Sequence, residues 1–306
     1  MSLKPGYDLV ILGGGPAGAT AALYGARAGL SVVVLEKMIL GGEIVSTERL
    51  DNYPGFPEGI TGAEFGQLLE KQLQRFAVTV KAETVEQVSF KGEGKKVYTA
   101  SGEITGRAAI IATGTVSQML NVDGEQTLRG RGVSYCATCD AAFFRGKEIA
   151  VVGGGDSALE ETIFLSRFAS KIYLLHRRDQ FRGVKVLQDK VLSLPQVEVL
   201  WNTTVQKIEG ERSVTGLQIV QKGAARFLPV KGLFIYVGRT PNTGFLVDQL
   251  PLDDSGFIAT NEKMETVLPR VYAAGDVRRT PLRQVVTAAA DGAVAATAAV
   301  HALMTL

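Results

Sequence analysis

The sequence predicts an α/β chain made of two related units, the second inserted into the first. Two continuous apolar runs, Tyr7–Leu12 and 148–152, are rich in β-branched and aliphatic residues and read as strands buried on both faces. Each run feeds a triple-glycine turn, at Gly13 and at Gly153, with a helical segment and a second apolar run beyond it. The first unit lacks a closing segment, and an apolar run followed by an alanine-rich helix after Gly244 supplies one.

In the first unit Tyr7–Leu12 is the strand, Gly13-Gly14-Gly15-Pro16-Ala17-Gly18 the turn, and Ala19 to Ala28 a helix capped by Gly29. Ser31–Leu35 is the second strand, ending at Glu36. At this spacing Gly13 permits the tight turn, Gly15 lets backbone approach a pyrophosphate, and Gly18 lets helix and strand pack closely. Glu36 falls where an acid accepts a ribose hydroxyl. Strands, turn and acid in one register make this a Rossmann-like dinucleotide-binding unit. Further on, Gly41-Gly42-Glu43 and Asn52 to Pro57 are loop signals, and Gly62 to Ala77 is helical in pattern. The stretch Val78 to Ala100 alternates as meander strands do, and Ala108 to Ala112 returns the chain to the parallel sheet before Thr113-Gly114-Thr115.

A polar link from Val116 to Gly132 leads to Cys136-Ala137-Thr138-Cys139, which holds both cysteines of the chain. The second unit follows: strand 148–152, turn Gly153-Gly154-Gly155-Asp156-Ser157-Ala158, helix Leu159 to Phe168 and strand Lys171 to Leu175. Glu36 lies 23 residues after Gly13 (36 − 13), and 23 residues after Gly153 (176 − 153) stands His176, followed by Arg177, Arg178 and Arg182. Basic side chains there pair with a 2′-phosphate, which an acid would repel, so NADP is expected over NAD. Leu228 to Val237, ending in Gly238-Arg239-Thr240-Pro241-Asn242, mirrors the end of the first unit. The expected division is therefore residues 1–117 with 245–306, and residues 118–244 between them.

Composition narrows the function. A hydrophobic share of 46% over 306 residues fits two packed domains, and a net charge of +2 offers no sustained basic field for nucleic acid or an anionic membrane. The first residues run straight into a strand too short for a secretory h-region, which predicts a cytoplasmic protein. The segment from Val285 onward is apolar, but it carries Asp291 and His301 and is dominated by alanine, so a buried helix is expected rather than a membrane span. With two cysteines and two histidines in all, no metal site is expected.

A CxxC pair lowers the pKa of one thiol and provides a thiolate near neutral pH to attack a disulfide. His176 belongs to a strand end and His301 to the last helix, which leaves Asp140 as the nearest candidate for proton transfer. Two inert buried cysteines remain the alternative reading of the motif. If the dithiol and a nicotinamide share the second unit, both must reach a centre held by the first, and rotation of the second unit about the two crossings is expected.

Together GGGPAG near the start, NYPG at Asn52 to Gly55, ATG at Ala112 to Gly114, CATCD at Cys136 to Asp140, GGGDSALEE from Gly153, HRRDQFR from His176 and AAGDV with Arg283-Gln284 resemble the low-molecular-weight bacterial thioredoxin reductases, over the whole length. The resemblance implies two Rossmann-like domains of three-layer ββα character, FAD in the first, NADPH in the second, and a homodimer. It implies FAD contacts at Gly13, Gly15, Gly18, Glu36, Asn52, Asp276 and Gln284, and NADPH contacts at Gly153, Gly155, Ala158, His176, Arg177, Arg178 and Arg182. Cys139 is implied as the thiol next to the flavin, Cys136 as the one that attacks the partner, and Asp140 as acid or base. NADPH would reduce FAD, FAD the Cys136–Cys139 disulfide, and the dithiol thioredoxin. Two departures stand out: Glu43 where the family often has glutamine, and Ala141 where it often has glycine, which is expected to alter the turn behind the dithiol. The alternatives are a flavoprotein that reduces a glutaredoxin-like or peroxidase-linked carrier, and a flavin-bound redox-sensing interaction protein.

Overall fold

The structure is a computed structural model; it describes residues 6–47, 50 and 52–304. In chain order the elements are β1 (Tyr7–Leu12), α1 (Pro16–Arg27), β2 (Val32–Glu36), α2 (Gly62–Arg75), β3 (Thr79–Ala82), β4 (Gln87–Ser89), β5 (Lys95–Thr99), β6 (Gly102–Ile111) and β7 (Thr115–Ser117). Then come β8 (Val133–Ser134), a single helical turn α3 (Ala137–Asp140), β9 (Glu148–Gly153), α4 (Asp156–Leu165), β10 (Lys171–Leu175), α5 (Lys185–Leu192) and β11 (Val197–Leu200). β12 (Thr203–Glu209), β13 (Gly216–Gln221), β14 (Ala224–Leu228), β15 (Gly232–Tyr236), β16 (Arg239–Pro241), β17 (Val271–Ala273) and α6 (Val285–Met304) complete the chain.

The chain divides into two compact units, Met1–Val116 with Thr240–Leu306, and Ser117–Arg239. The second crossing falls five residues before the 245 expected from sequence, and hydrogen bonds explain why. Thr113 Oγ1 donates to the Asn242 carbonyl and Asn242 Nδ2 donates to the Thr113 carbonyl, both at 2.8 Å, which ties Asn242 into the first unit. The strands that carry the chain across, β7 and β16, form a two-stranded sheet.

In the first unit the strand order is β3-β2-β1-β6, with β17 paired to β6, and all of these neighbours are parallel. The alternation of side chains explains the continuous apolar runs. Leu9, Ile11, Val32 and Val34 pack toward α1 and α6, while Val10, Leu12, Val33 and Leu35 pack on the other face with Val88, Phe90 and Val97. Each such side chain, fully buried, contributes on the order of 1.5–3 kcal/mol. The meander proves shorter than the alternation suggested, because β3 joins the parallel sheet beside β2 and only β4, β5 and β6 pair antiparallel. α2 opens on a reciprocal cap between Thr61 and Glu64, which fixes its start.

The second unit repeats the plan. Its sheet runs β11-β10-β9-β15-β8, all parallel. Ile149, Val151, Ile172 and Leu174 pack with Leu159 of α4 and Val191 of α5. On the opposite face Ala150, Leu175 and Leu233 pack with Val205, Leu217 and Leu228 of the antiparallel β12-β13-β14 sheet. Both units are thus layered helix, parallel sheet, antiparallel strands, the ββα arrangement expected.

Candidate functional site

In the first turn Gly13 has φ +100°, and a Cβ on it would lie 2.4 Å from the Ala112 carbonyl oxygen, so no other residue fits. A Cβ on Gly18 would sit 1.9 Å from the Gly13 carbonyl oxygen, which measures how closely α1 approaches the turn. Gly15 differs: its Cβ would meet nothing nearer than the Gly41 oxygen at 3.9 Å. That leaves open space at the N-terminus of α1, where backbone N–H groups and the helix dipole favour a phosphate. Glu36 closes the turn, its carboxylate accepting from the Gly14 N–H at 2.8 Å and from the Met38 N–H at 3.0 Å.

Chain segments far apart in sequence bring the other residues of the first unit together. Asn52 Nδ2 donates to Gln284 Oε1 at 2.9 Å, just ahead of α6. Asp276 lies in the short turn Gly275–Val277, which α6 holds through Asp291. The Asp291 carboxylate accepts from the Gly275 N–H (3.0 Å), from Arg278 Nε (2.6 Å) and from an Arg278 terminal nitrogen (2.8 Å). This pair is largely buried, and sequence reading passed over its role, although an acid within an alanine-rich helix was the signal. α6 is long and apolar enough to cross a membrane by length and composition. Its buried face is packed on α1, where a Cβ on Gly292 would lie 2.1 Å from the Ala17 oxygen.

The second turn shares the plan. Gly155 has open space around its missing Cβ, and Ala158, fully buried, stands where the first turn has Gly18. Arg177, Arg178 and Arg182 are exposed, and the Arg182 N–H donates to the Gly154 carbonyl at 2.7 Å, which folds the arginine loop back onto the turn. His176 is placed differently from its neighbours. Its ring is 5% exposed, donates from Nδ1 to the Gly153 carbonyl at 2.9 Å, and packs beside Phe181 and Trp201. Burial pushes its pKa down, so the imidazole is neutral at neutral pH. It props the turn from below, and the exposed basic surface consists of the arginines.

Cys136 and Cys139 form a disulfide with a Cα–Cα separation of 5.4 Å, across the first turn of α3. Neither cysteine is deeply buried, so exchange with a partner's disulfide is sterically open. The Cys136 N–H donates to Ser134 Oγ at 3.1 Å, and Ser134 Oγ donates to Asp140 Oδ2 at 2.6 Å. Ser134 was not singled out from sequence because no spacing rule connects it to the motif. Behind α3 lies the Tyr236 hydroxyl, whose pKa is pushed well up by burial and by Glu161, while burial raises Glu161 itself. Ala141 has φ −54° and ψ −36°, a right-handed conformation that alanine adopts without strain. Among the described residues no group of three or more His, Cys, Asp or Glu is placed to hold a metal ion.

The match to known proteins is as extensive as the internal repeat suggests. The model of the pyridine nucleotide-disulphide oxidoreductase family matches residues 7–292. A thioredoxin reductase of Listeria monocytogenes is 44% identical over 292 residues, covering 94% of this chain and 91% of that protein. The crystal structure of thioredoxin reductase from Streptococcus pyogenes shares 41% identity and superposes with a TM-score of 0.95, over 98% of this chain and 99% of that one. A Lactococcus lactis thioredoxin reductase in an FR conformation is 37% identical over 98% of this chain and 100% of that one, with a TM-score of 0.67. The chain belongs to the pyridine nucleotide-disulphide oxidoreductase family, in its thioredoxin reductase branch.

Proposed function

We propose that the protein is an NADPH-dependent thioredoxin reductase that holds FAD in its first unit and works through the Cys136–Cys139 pair. The observation that carries this reading is the disulfide, with a carboxylate anchored beside it, in the same unit as a glycine turn flanked by three exposed arginines. The first turn fits a dinucleotide because its one unobstructed glycine lies at the helix N-terminus. Gly13, Gly15, Gly18, Glu36, Asn52, Asp276 and Gln284 would hold FAD, which, when bound, supplies two-electron transfer between nicotinamide and disulfide. Gly153, Gly155 and Ala158 would admit the NADPH pyrophosphate, and Arg177, Arg178 and Arg182 its 2′-phosphate.

Cys139 takes the electrons, and Cys136, as thiolate, attacks the disulfide of thioredoxin. The mixed disulfide is then resolved by Cys139, and the Asp140 carboxylate takes the proton of the Cys139 thiol and passes it to the leaving sulfur. The second unit turns about the two crossings between these steps. Gly114 (φ +65°) and Gly238 (φ +136°), close before β7 and β16, give both crossings backbone freedom. The solved relatives point the same way: at similar identity and coverage one superposes at 0.95 and another at 0.67, so members of the branch differ in global arrangement. A cross-link that fixes one arrangement is expected to stop turnover; unchanged turnover rejects the rotation.

The protein acts as a homodimer in the cytoplasm, where NADPH is supplied. A groove between α1, α2 and α6, with Tyr24 and Val286 of its lining exposed, supports self-association, which sedimentation would show as twice the 32.6 kDa chain mass. The central test is spectroscopic. Purified protein should be yellow, bleach with NADPH and regain colour when oxidised thioredoxin is added. Bleaching without recovery would point to another dithiol carrier, and colourless protein after FAD supplementation would reject the enzyme reading.

A further inference from the structure

The geometry points to Ser134 as a positioning residue for the dithiol step: its buried hydroxyl links the Cys136 backbone to Asp140 and fixes the carboxylate that takes up and passes on the thiol proton. This rests on the reading above that Asp140 serves the exchange with thioredoxin. Ser134 ends β8, where it pairs in register with Phe234 of β15, and it is 4% exposed. Its place is therefore set by the sheet and not by the redox turn. A hydroxyl has one proton, and the 2.6 Å contact to Asp140 Oδ2 takes it in preference to the 3.3 Å contact to the Cys136 carbonyl. A distance of 2.6 Å is that of a charge-assisted O–H···O⁻ bond. One lone pair on Ser134 Oγ receives the Cys136 N–H, so the serine both donates and accepts within this loop. The Asp140 N–H in turn donates to the Cys136 carbonyl at 3.2 Å, which closes the loop from residue 134 to residue 140.

A hydrogen bond donated to the charged form of an acid favours that form, so loss of the serine hydroxyl should move the acid limb of the transfer step upward. The other ionisable groups on this side are Tyr236 of β15, with Glu161 of α4 and Arg239 around it, and Glu160 beside Glu161. Burial keeps Tyr236 protonated through the neutral range, so Glu161 is the group whose titration must be separated from that of Asp140. In chemical terms the two enzyme thiols give two electrons and two protons to the partner disulfide, and the enzyme disulfide forms as the partner dithiol leaves. Asp140 handles one of those protons, and Ser134 determines at which pH it can.

The test is the pH dependence of oxidised thioredoxin reduction by prereduced holoenzyme, followed in the stopped flow. Ser134→Ala should slow transfer roughly tenfold at neutral pH and move the acid limb of the profile upward by about one pH unit. Ser134→Thr, which retains the hydroxyl, should restore both. The shift should persist in a Glu161→Gln background and disappear in an Asp140→Asn background. Circular dichroism and flavin content report whether each variant folds. A Ser134→Ala profile that keeps its position, whether or not the rate falls, overturns the inference, as does failure of Ser134→Thr to restore it in a folded holoenzyme. If Asp140→Asn transfers at the unaltered rate, the assignment of Asp140 fails first, and that outcome is separate from a Ser134→Ala profile that fails to move while Asp140→Asn is impaired.

Discussion

At the twenty-third residue after its first glycine, each turn is propped by a side chain from the end of its second strand, but the two props are opposite in kind. Glu36 accepts from the Gly14 N–H, and His176 donates to the Gly153 carbonyl while its ring fills the space under Gly154. The shared duty is mechanical. On the proposed function the different duty is recognition: a carboxylate would keep acceptor sites for a hydroxyl, whereas a neutral imidazole would leave charge recognition to the exposed Arg177, Arg178 and Arg182. The helices differ as well. α1 is pressed between the turn and α6, so Gly18 and Gly292 are both required, while α4 packs on the shorter α5 and accepts Ala158.

The sharpest way to break the comparison is to exchange its small residues. Gly18→Ala would put a methyl 1.9 Å from a carbonyl oxygen that cannot move without the sheet, so we expect loss of flavin and a destabilisation above about 3 kcal/mol. The converse, Ala158→Gly, should cost about 1 kcal/mol, the helix propensity difference, and leave flavin in place. Equal losses in urea denaturation would show that the two helices are seated alike. Next in size is Asp291→Asn, which leaves the Arg278 guanidinium without its charge partner and loosens the Gly275 turn. About 3 kcal/mol of stability should go, and flavin should wash out on gel filtration; retention of both would mean that the Asp276 turn stands without α6.

The duplicated strand–turn–helix units were legible because each residue type there answers a local demand: glycine for a positive φ, valine and isoleucine for a strand buried on two faces. Exposed and buried members of the basic run were not separable, because His176, Arg177 and Arg178 are adjacent and only the packing of Phe181 and Trp201 decides which side chain turns inward. The Arg278–Asp291 pair and the Ser134–Asp140 contact were hidden for a different reason. They join elements by tertiary geometry, at separations of 13 and 6 residues that follow no helical or strand period. The alternation at Val78 to Ala100 was read as one meander since period two marks a strand without naming its neighbour.

The recognition half of the comparison is sharpened by the arginines. Arg177→Ala with Arg178→Ala should raise the KM for NADPH about tenfold, through loss of charge-assisted bonds to the 2′-phosphate. The KM for NADH should remain as it was. A parallel rise for both would mean that these side chains hold the loop and not the phosphate.

The smallest effect concerns the mechanical half, and it has a definite sign. Burial lowers the folded pKa of His176 below its ordinary 6.5, with Arg182 and Arg178 adding to the effect. In the unfolded chain the imidazole takes up a proton as pH falls through about 6.5, while the folded one resists until a lower pH. The unfolded state therefore binds more protons in that window, so this group's stabilisation is full above 6.5 and declines as the pH drops below it. Denaturation midpoints measured from about pH 7.5 down to pH 5 should fall more steeply for the parent than for His176→Asn. The variant keeps an N–H for the Gly153 carbonyl but cannot titrate, and it should be less stable at pH 7.5 because the ring's packing on Phe181 and Trp201 is lost. The corresponding variant of the first turn, Glu36→Gln, removes a carboxylate and leaves His176 in place, so it should retain the parent's slope over this window. Parallel slopes for the parent and His176→Asn would show that the imidazole takes up its proton in the fold as readily as in the unfolded chain, and the props of the two turns would then not differ through burial of the ring.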